Sequence, residues 1–170
     1  MKQLLRIAFI LSLTGCQAKC PKGSSLDISA IPAFDLLLAD SVTVFSTSRI
    51  PAGSPVILMY FSPDCEHCQR QTDALVKHIE SLRDVRIYLI TPLPFGEMKT
   101  FTLDYHLSRY TNITVGQDYR YAFYKYYKAE AFPCTAIYDD RKQLIKLYRQ
   151  ELGIDRILET IHPQTAVLNH

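Results

Sequence analysis

Two cysteines with two residues between them, Cys65-Glu66-His67-Cys68, carry the clearest chemistry in the chain. They follow an apolar run, Val56 to Phe61 (Val-Ile-Leu-Met-Tyr-Phe), and a Ser62-Pro63-Asp64 break, and they open a segment with helical periodicity. A thiol at the first turn of a helix meets unsatisfied backbone N–H groups and the positive end of the macrodipole, and both favour an anion. The thiolate is the nucleophile in disulfide exchange, so the placement favours reactivity. A partner three residues on lies one helical turn away and can close a small disulfide ring. Cys65 is therefore the candidate nucleophile and Cys68, expected to be more buried, the candidate resolving thiol. The two residues between them oppose each other. His67, protonated or donating a hydrogen bond, stabilises a thiolate and makes the couple more oxidising. A charged Glu66 disfavours the thiolate and can accept a proton during exchange. The sequence leaves that balance open.

Two other uses of the motif weigh less. A structural disulfide over so short a ring removes little chain entropy from the unfolded state. A metal site needs about four ligands, usually from two such pairs. Here a single C-x-x-C stands, with His67, His78 and Cys134 as possible extras.

The elements that must hold the pair can be read from the patterning. Val42 to Phe45 is a short β-branched run and Pro51 to Pro55 a turn cluster, after which Val56 to Phe61 predicts a strand buried on both faces. From Glu66 onward Cys68, Thr72, Leu75, Val76, Ile79 and Leu82 recur at helical spacing, with Asp73 and Lys77 placed as an outer i,i+4 pair. Val85 to Ile90 predicts a second strand, Met98, Phe101 and Tyr105 a helix after Gly96, and Ile113 to Val115 a short strand. Asp118 can cap a helix running to about Lys128. Cys134 to Tyr138 and Leu144 to Tyr148 predict a hairpin about Asp139 to Gln143, and Ile154 to Ile161 a closing helix. That order implies a single-domain, layered α/β fold.

Ala131-Phe132-Pro133-Cys134-Thr135 leads into the first strand of the hairpin. Tyr60-Phe61-Ser62-Pro63-Asp64-Cys65-Glu66-His67-Cys68, followed far downstream by Phe132-Pro133, resembles the thioredoxin superfamily. The likeness is greatest to its membrane-anchored TlpA/ResA-like thiol-disulfide oxidoreductases, and it runs from about Ile31 to Ile161. The resemblance implies a thioredoxin-like fold over residues 31–165, with a central mixed β-sheet flanked by helices. It implies a redox-active Cys65–Cys68 pair that needs no cofactor. It also implies a cis bond before Pro133, which lies against the pair and, with Phe132, shapes a groove for an extended substrate. Cys-Glu-x-Cys looks like the reductases of that group that serve cytochrome c maturation, while histidine in the third position is similar to the oxidising periplasmic class. Three features depart from the family. The strand before the motif lacks the buried acid common in thioredoxins, leaving proton handling at Cys68 to Glu66 or His67. Cys134 replaces the usual threonine after the proline, as a small buried side chain or as an accessory thiol near the pair. The hairpin turn lacks its usual glycine.

At the start of the chain, Lys2 and Arg6 precede an apolar run, Ile7 to Leu13, far shorter than the ~20 residues that span a bilayer. This pattern describes an export signal. Its end, Leu13-Thr14-Gly15-Cys16, resembles the lipobox of bacterial lipoproteins. That resemblance implies removal of residues 1–15 and acylation of Cys16, which would hold a soluble domain on the bilayer. Residues 16–30 are then a polar tether, with Cys20 an accessory or unpaired thiol. Export places the remaining thiols in an oxidising compartment.

Composition is that of a globular domain. Of 170 residues 48% are hydrophobic and 21% charged, which excludes a disordered or low-complexity chain. Nineteen Lys and Arg stand against 17 Asp and Glu; loss of residues 1–15 removes two cations and no acid, so nothing suggests a nucleic-acid partner. Tyr119 to Tyr127 holds more aromatics than one helix face can bury. Core packing with wet hydroxyls is the expected role, and a partner-binding wall beside Phe132-Pro133 the functional alternative. His106 and His162 are expected at the surface.

The leading expectation is a lipid-anchored, extracytoplasmic thiol-disulfide oxidoreductase. It would exchange disulfides with exported proteins, most simply as a reductase recharged by a membrane electron donor. The alternative is a non-enzymatic copper or zinc carrier using Cys65, Cys68 and Cys134, or an adaptor using the tyrosine-rich face.

Overall fold

The computed structural model describes residues 29–163. The expected signal (1–15), Cys16, Cys20, most of the 16–30 tether and positions 164–165 lie outside the described residues. In chain order the elements are β1 (Asp35–Leu38), β2 (Val44–Ser46), β3 (Val56–Tyr60), α1 (Glu66–Lys77), β4 (Arg86–Thr91), α2 (Phe95–Asp104), β5 (Ile113–Gln117), α3 (Ala122–Tyr127), β6 (Cys134–Tyr138), β7 (Leu144–Tyr148) and α4 (Ile154–Ile161). The strands form one mixed sheet in the order β2-β1-β5-β4-β3-β6-β7. β3, β4 and β5 run parallel, joined by α1 and α2, while β6 and β7 on one side and β1 and β2 on the other are antiparallel.

β3 lies inside the sheet between β4 and β6, and all five of its residues are buried. Its alternate side chains therefore feed two separate cores, which is why the sequence runs apolar without alternation. Ile57, Met59 and Phe61 pack on one face with Cys68 and Leu75 of α1 and Ile157 of α4. Val56, Leu58 and Tyr60 pack on the other with Phe123 and Tyr127 of α3 and with Cys134 and Tyr138 of β6. In this second core the Tyr60 ring stacks on Phe123 at 4.7 Å, and the Tyr127 and Tyr138 hydroxyls bond each other.

Several expected elements shift at their ends. The first strand after the start is β1, which has no pattern of its own beyond Asp-Leu-Leu-Leu and is recruited by pairing with β2 and β5. Val42 is not in a strand; it lies in the turn, 78% exposed, where the Asp40 carboxylate accepts the Val42 and Thr43 N–H groups. α1 stops at Lys77, and Ile79–Leu82 continues as a 3-10 turn that still buries Leu82. The expected Asp73–Lys77 ion pair does not form among the described residues, although both side chains face solvent; the i,i+4 pair on this helix is Glu66 and Arg70, 3.7 Å apart. α2 begins at Phe95, so Gly96 lies inside its first turn. Asp118 does cap α3, its buried carboxylate accepting the Ala122 and Phe123 N–H groups at 2.9 and 2.8 Å. The helix is shorter than expected because Tyr121 and Lys128 bracket it in left-handed conformations. In the glycine-free β6–β7 turn Lys142 takes the left-handed position (φ 64°), while the Asp139 carboxylate accepts the Arg141 and Gln143 N–H groups.

One glycine is required by close approach. A Cβ on Gly116 in β5 would stand 2.8 Å from the Leu36 Cβ of the neighbouring β1.

Candidate active site

The chain leaves the carboxyl end of β3, turns through Ser62-Pro63-Asp64 and enters α1, so the motif stands at the edge of the sheet where a helix begins. Gln69 secures this turn, its side-chain amide donating to the Pro63 carbonyl at 2.8 Å. Cys65 is the N-cap of α1, with extended backbone (φ −84°, ψ 111°), and its Sγ accepts the Cys68 N–H at 3.4 Å. A sulfur in this position receives a helix-end donor that stabilises negative charge. The Cys65 thiol also lies 3.7 Å from the Phe132 carbonyl oxygen, to which it donates.

The two sulfurs differ in setting. Cys65 is partly exposed, whereas Cys68 is fully buried. Burial, and then the hydrogen bond to Cys65, push the Cys68 thiol far above the ordinary thiol range. The arrangement therefore offers one accessible sulfur at a helix cap and one buried thiol that binds its proton tightly. Both are free thiols in this structure.

Phe132 and Pro133 come from the segment ahead of β6. Their peptide bond is cis, as the resemblance implies. The Phe132 ring is partly buried, 5.2 Å from the Tyr60 ring. Cys134 follows directly but points the other way. It belongs to the second core, on the opposite face of the sheet from Cys68, and is fully buried. Burial pushes its thiol up to about 11, with Arg149 pulling it down. Cys134 is thus a packed core residue, and the three-thiol set of the carrier alternative is not assembled. His78 caps the far end of α1, three turns from the motif. Among the described residues no group of three or more His, Cys, Asp or Glu side chains is placed to hold a metal ion.

Glu66 and His67 lie on the exposed side of α1, and among the described residues neither hydrogen-bonds to a sulfur. Glu66 reaches Arg70, and His67 Nδ1 lies 2.8 Å from Glu151 Oε2. Glu151, on the β7–α4 connection, is one of three residues near the motif that patterning did not reveal. Arg70 is another: its Nε and Nη2 grip the same carboxylate at 2.8–3.2 Å. The third is Gln71, fully buried, whose Nε2 donates to Thr135 Oγ1 at 3.0 Å while its Oε1 accepts the Leu152 N–H at 3.0 Å. Gln71 ties α1 both to the strand that follows Pro133 and to the loop that carries Glu151. A glutamine on the same face as Cys68, Thr72 and Leu75 is the sequence signal for such a buried hub; Glu151 leaves none.

The aromatic segment divides between its two expected roles. Phe123 and Tyr127 are core residues, while Tyr119, Tyr121 and Tyr124 are exposed. His106 and His162 are exposed.

A central mixed sheet flanked by helices, with a C-x-x-C pair capping the helix after a buried strand and a cis-proline segment against it, is the thioredoxin-like fold. Solved structures share it. A secreted disulfide oxidoreductase of Mycobacterium tuberculosis, homologous to DsbE of Escherichia coli, superposes with a TM-score of 0.63 at 18% identity, over 75% of this chain and 92% of that one. The exposed lipoprotein thioredoxin of Streptococcus pneumoniae superposes with a TM-score of 0.58 at 18% identity, over 76% of this chain and 97% of that one. No protein-family model and no curated protein sequence matches the chain.

Proposed function

We propose that this protein is a thiol-disulfide oxidoreductase of the cell envelope, anchored through acylated Cys16, that reduces disulfides of exported proteins with the Cys65–Cys68 pair. The carrying observation is the asymmetry of the pair: an accessible sulfur at a helix cap beside a buried thiol whose proton is firmly held.

In this reading the Cys65 thiolate attacks one sulfur of a client disulfide. A Cys65–client disulfide forms, and the other client sulfur leaves as a thiolate and takes up a proton. Cys68 then gives up its proton and attacks the Cys65 sulfur. The second client thiolate leaves and is protonated, and the Cys65–Cys68 disulfide closes. Two electrons have passed to the client, and a membrane electron donor returns them. Glu66 and His67 tune the pair, and Phe132 and Pro133 line the client-binding groove. A second, open groove of about 980 Å³ starts at Pro63 and Asp64 beside Cys65 and runs between α1 and α2, giving a polypeptide client room to approach. The lipobox-like Leu13-Thr14-Gly15-Cys16 and the secreted and lipoprotein nature of the neighbours support the extracytoplasmic setting. No helix among the described residues is long and apolar enough to cross a membrane.

Single replacements test the reading. Cys65→Ser abolishes reduction of a disulfide-bonded client, and Cys68→Ser accumulates a mixed disulfide at Cys65. Full activity in both variants refutes it.

A further inference from the structure

Four charged or titratable side chains from two distant segments meet beside the pair. Glu66, His67 and Arg70 lie on the first turns of α1, and Glu151 comes from the β7–α4 connection more than eighty residues away. Glu151 is not there by chance contact of flexible tips. The next residue, Leu152, is buried, and its N–H is bound by the buried Gln71 of the same helix, so the loop is bolted to α1 from inside. The carboxylate is gripped by Arg70 through Nε and Nη2, a forked geometry that fixes direction as well as distance.

The His67 ring sits within 2.8 Å of Glu151 Oε2 and 2.7 Å of Arg70 Nη2, both through Nδ1. One nitrogen cannot donate to the carboxylate and accept from the guanidinium at once. His67 therefore has two bonding states, both directed at the Glu151–Arg70 pair rather than at a sulfur. Such partly exposed pairs contribute little to stability. Their placement next to a thiol whose ionisation governs its redox equilibrium gives them a different significance.

The geometry points to Glu151 as a positioning residue for the Cys65–Cys68 pair: it pins His67 and Arg70 against its carboxylate and offsets the positive charge that Arg70 would otherwise present to the Cys65 thiolate. This inference rests on the redox reading above and gives it a direction. With Arg70 matched by one carboxylate and Glu66 adding a second, the local charge disfavours the thiolate, destabilises the dithiol form and holds the couple on the reducing side. The charge of Glu151 also reaches Cys68, where it adds to the effect of burial. Arg70 and His67 in turn hold Glu151 below the usual carboxylate range, so it stays charged.

The test compares wild type, Glu151→Gln and Arg70→Gln, each equilibrated in glutathione redox buffers at pH 7. Glu151→Gln removes the countercharge from Arg70, and the thiol–disulfide equilibrium shifts three- to tenfold toward the dithiol, about 15–30 mV more positive. Arg70→Gln leaves the carboxylates unmatched and shifts the equilibrium by a similar factor the other way. Alkylation of Cys65 by iodoacetamide speeds up in the first variant and slows in the second. At 1 M salt, where the screening length falls to about 3 Å from about 10 Å at 0.1 M, both shifts shrink. A purely structural role moves both variants in one direction and ignores salt. Unchanged potentials, shifts of the same sign or shifts indifferent to salt overturn the inference while leaving the redox pair in place. Absence of a two-electron transition in all three proteins overturns the redox reading and this inference with it.

Discussion

Replacing Gln71 by Leu removes the one side chain that joins α1, the strand after Pro133 and the Glu151 loop. The change keeps an apolar side chain of similar volume but deletes two buried hydrogen bonds, from Nε2 to Thr135 Oγ1 and from the Leu152 N–H to Oε1. The Leu152 N–H and the Thr135 hydroxyl are then left in a dry interior without their partner. Each of the two orphaned groups costs about 1–3 kcal/mol, offset by roughly 1 kcal/mol for the more apolar side chain, so a net loss of about 1–5 kcal/mol is expected. That is a large share of the roughly 5–15 kcal/mol that holds a domain folded. At this chain length it corresponds to a fall in Tm of roughly 2–20 °C. Urea unfolding of the reduced protein measures it, with an unchanged m value showing that the denatured state is unaffected. Thr135→Val in the Gln71→Leu background removes one of the two orphans, so the double variant is less unstable than the sum of the singles by about 0.5 kcal/mol or more. A loss below about 0.5 kcal/mol for Gln71→Leu, or strict additivity in the cycle, refutes the argument that this residue is a buried hub.

Other consequences follow from burial and charge. In native protein iodoacetamide labels Cys65 alone among Cys65, Cys68 and Cys134, and the two buried thiols react only after denaturation; mass mapping of the labelled peptides checks this. Cys134 binds its proton more tightly folded, at about 11, than unfolded, at the ordinary value of 9.0. Between those values the unfolded chain holds fewer protons than the native one, so stability falls as pH rises from about 9 to 11, by about 2–3 kcal/mol for this group. Cys134→Ala flattens that part of the stability–pH curve, read by denaturant titration at each pH. Gly116→Ala forces its new Cβ against Leu36 and costs about 1–3 kcal/mol in urea unfolding, while the alkylation rate of Cys65 stays unchanged.

Much of the site was legible because its parts are local. Val56 to Tyr60 is apolar at every position because its two faces feed two cores, and Pro63 with the C-x-x-C that follows marks where strand becomes helix. The cis bond before Pro133 came from resemblance, since a lone proline before a strand carries no sign of its isomer. What escaped the patterning depends on tertiary pairing. β1 is four residues with no alternation and exists as a strand because β2 and β5 flank it. Cys134 and Thr135 are neighbours, and the alternation along β6 sends one to each face. That alternation separates Cys134 from Cys68, and only the register of β6 against β3 shows it. Glu66 and His67 were legible as candidates for tuning the pair, but the ion-pair cluster that holds them was not, because Glu151 comes from a loop at the far end of the chain.

Cys65 and Cys68 are proposed to form a two-electron couple in which Cys134 takes no part. Equilibration in dithiothreitol or glutathione buffers, followed by alkylation of the remaining thiols and mass analysis, tests it directly. One transition is expected, linking the Cys65 and Cys68 peptides near the thioredoxin end of the scale at about −270 mV, with Cys134 a free thiol throughout. A midpoint near −120 mV contradicts the reductase direction, and the absence of a transition, or a disulfide involving Cys134, contradicts the assignment of the pair itself.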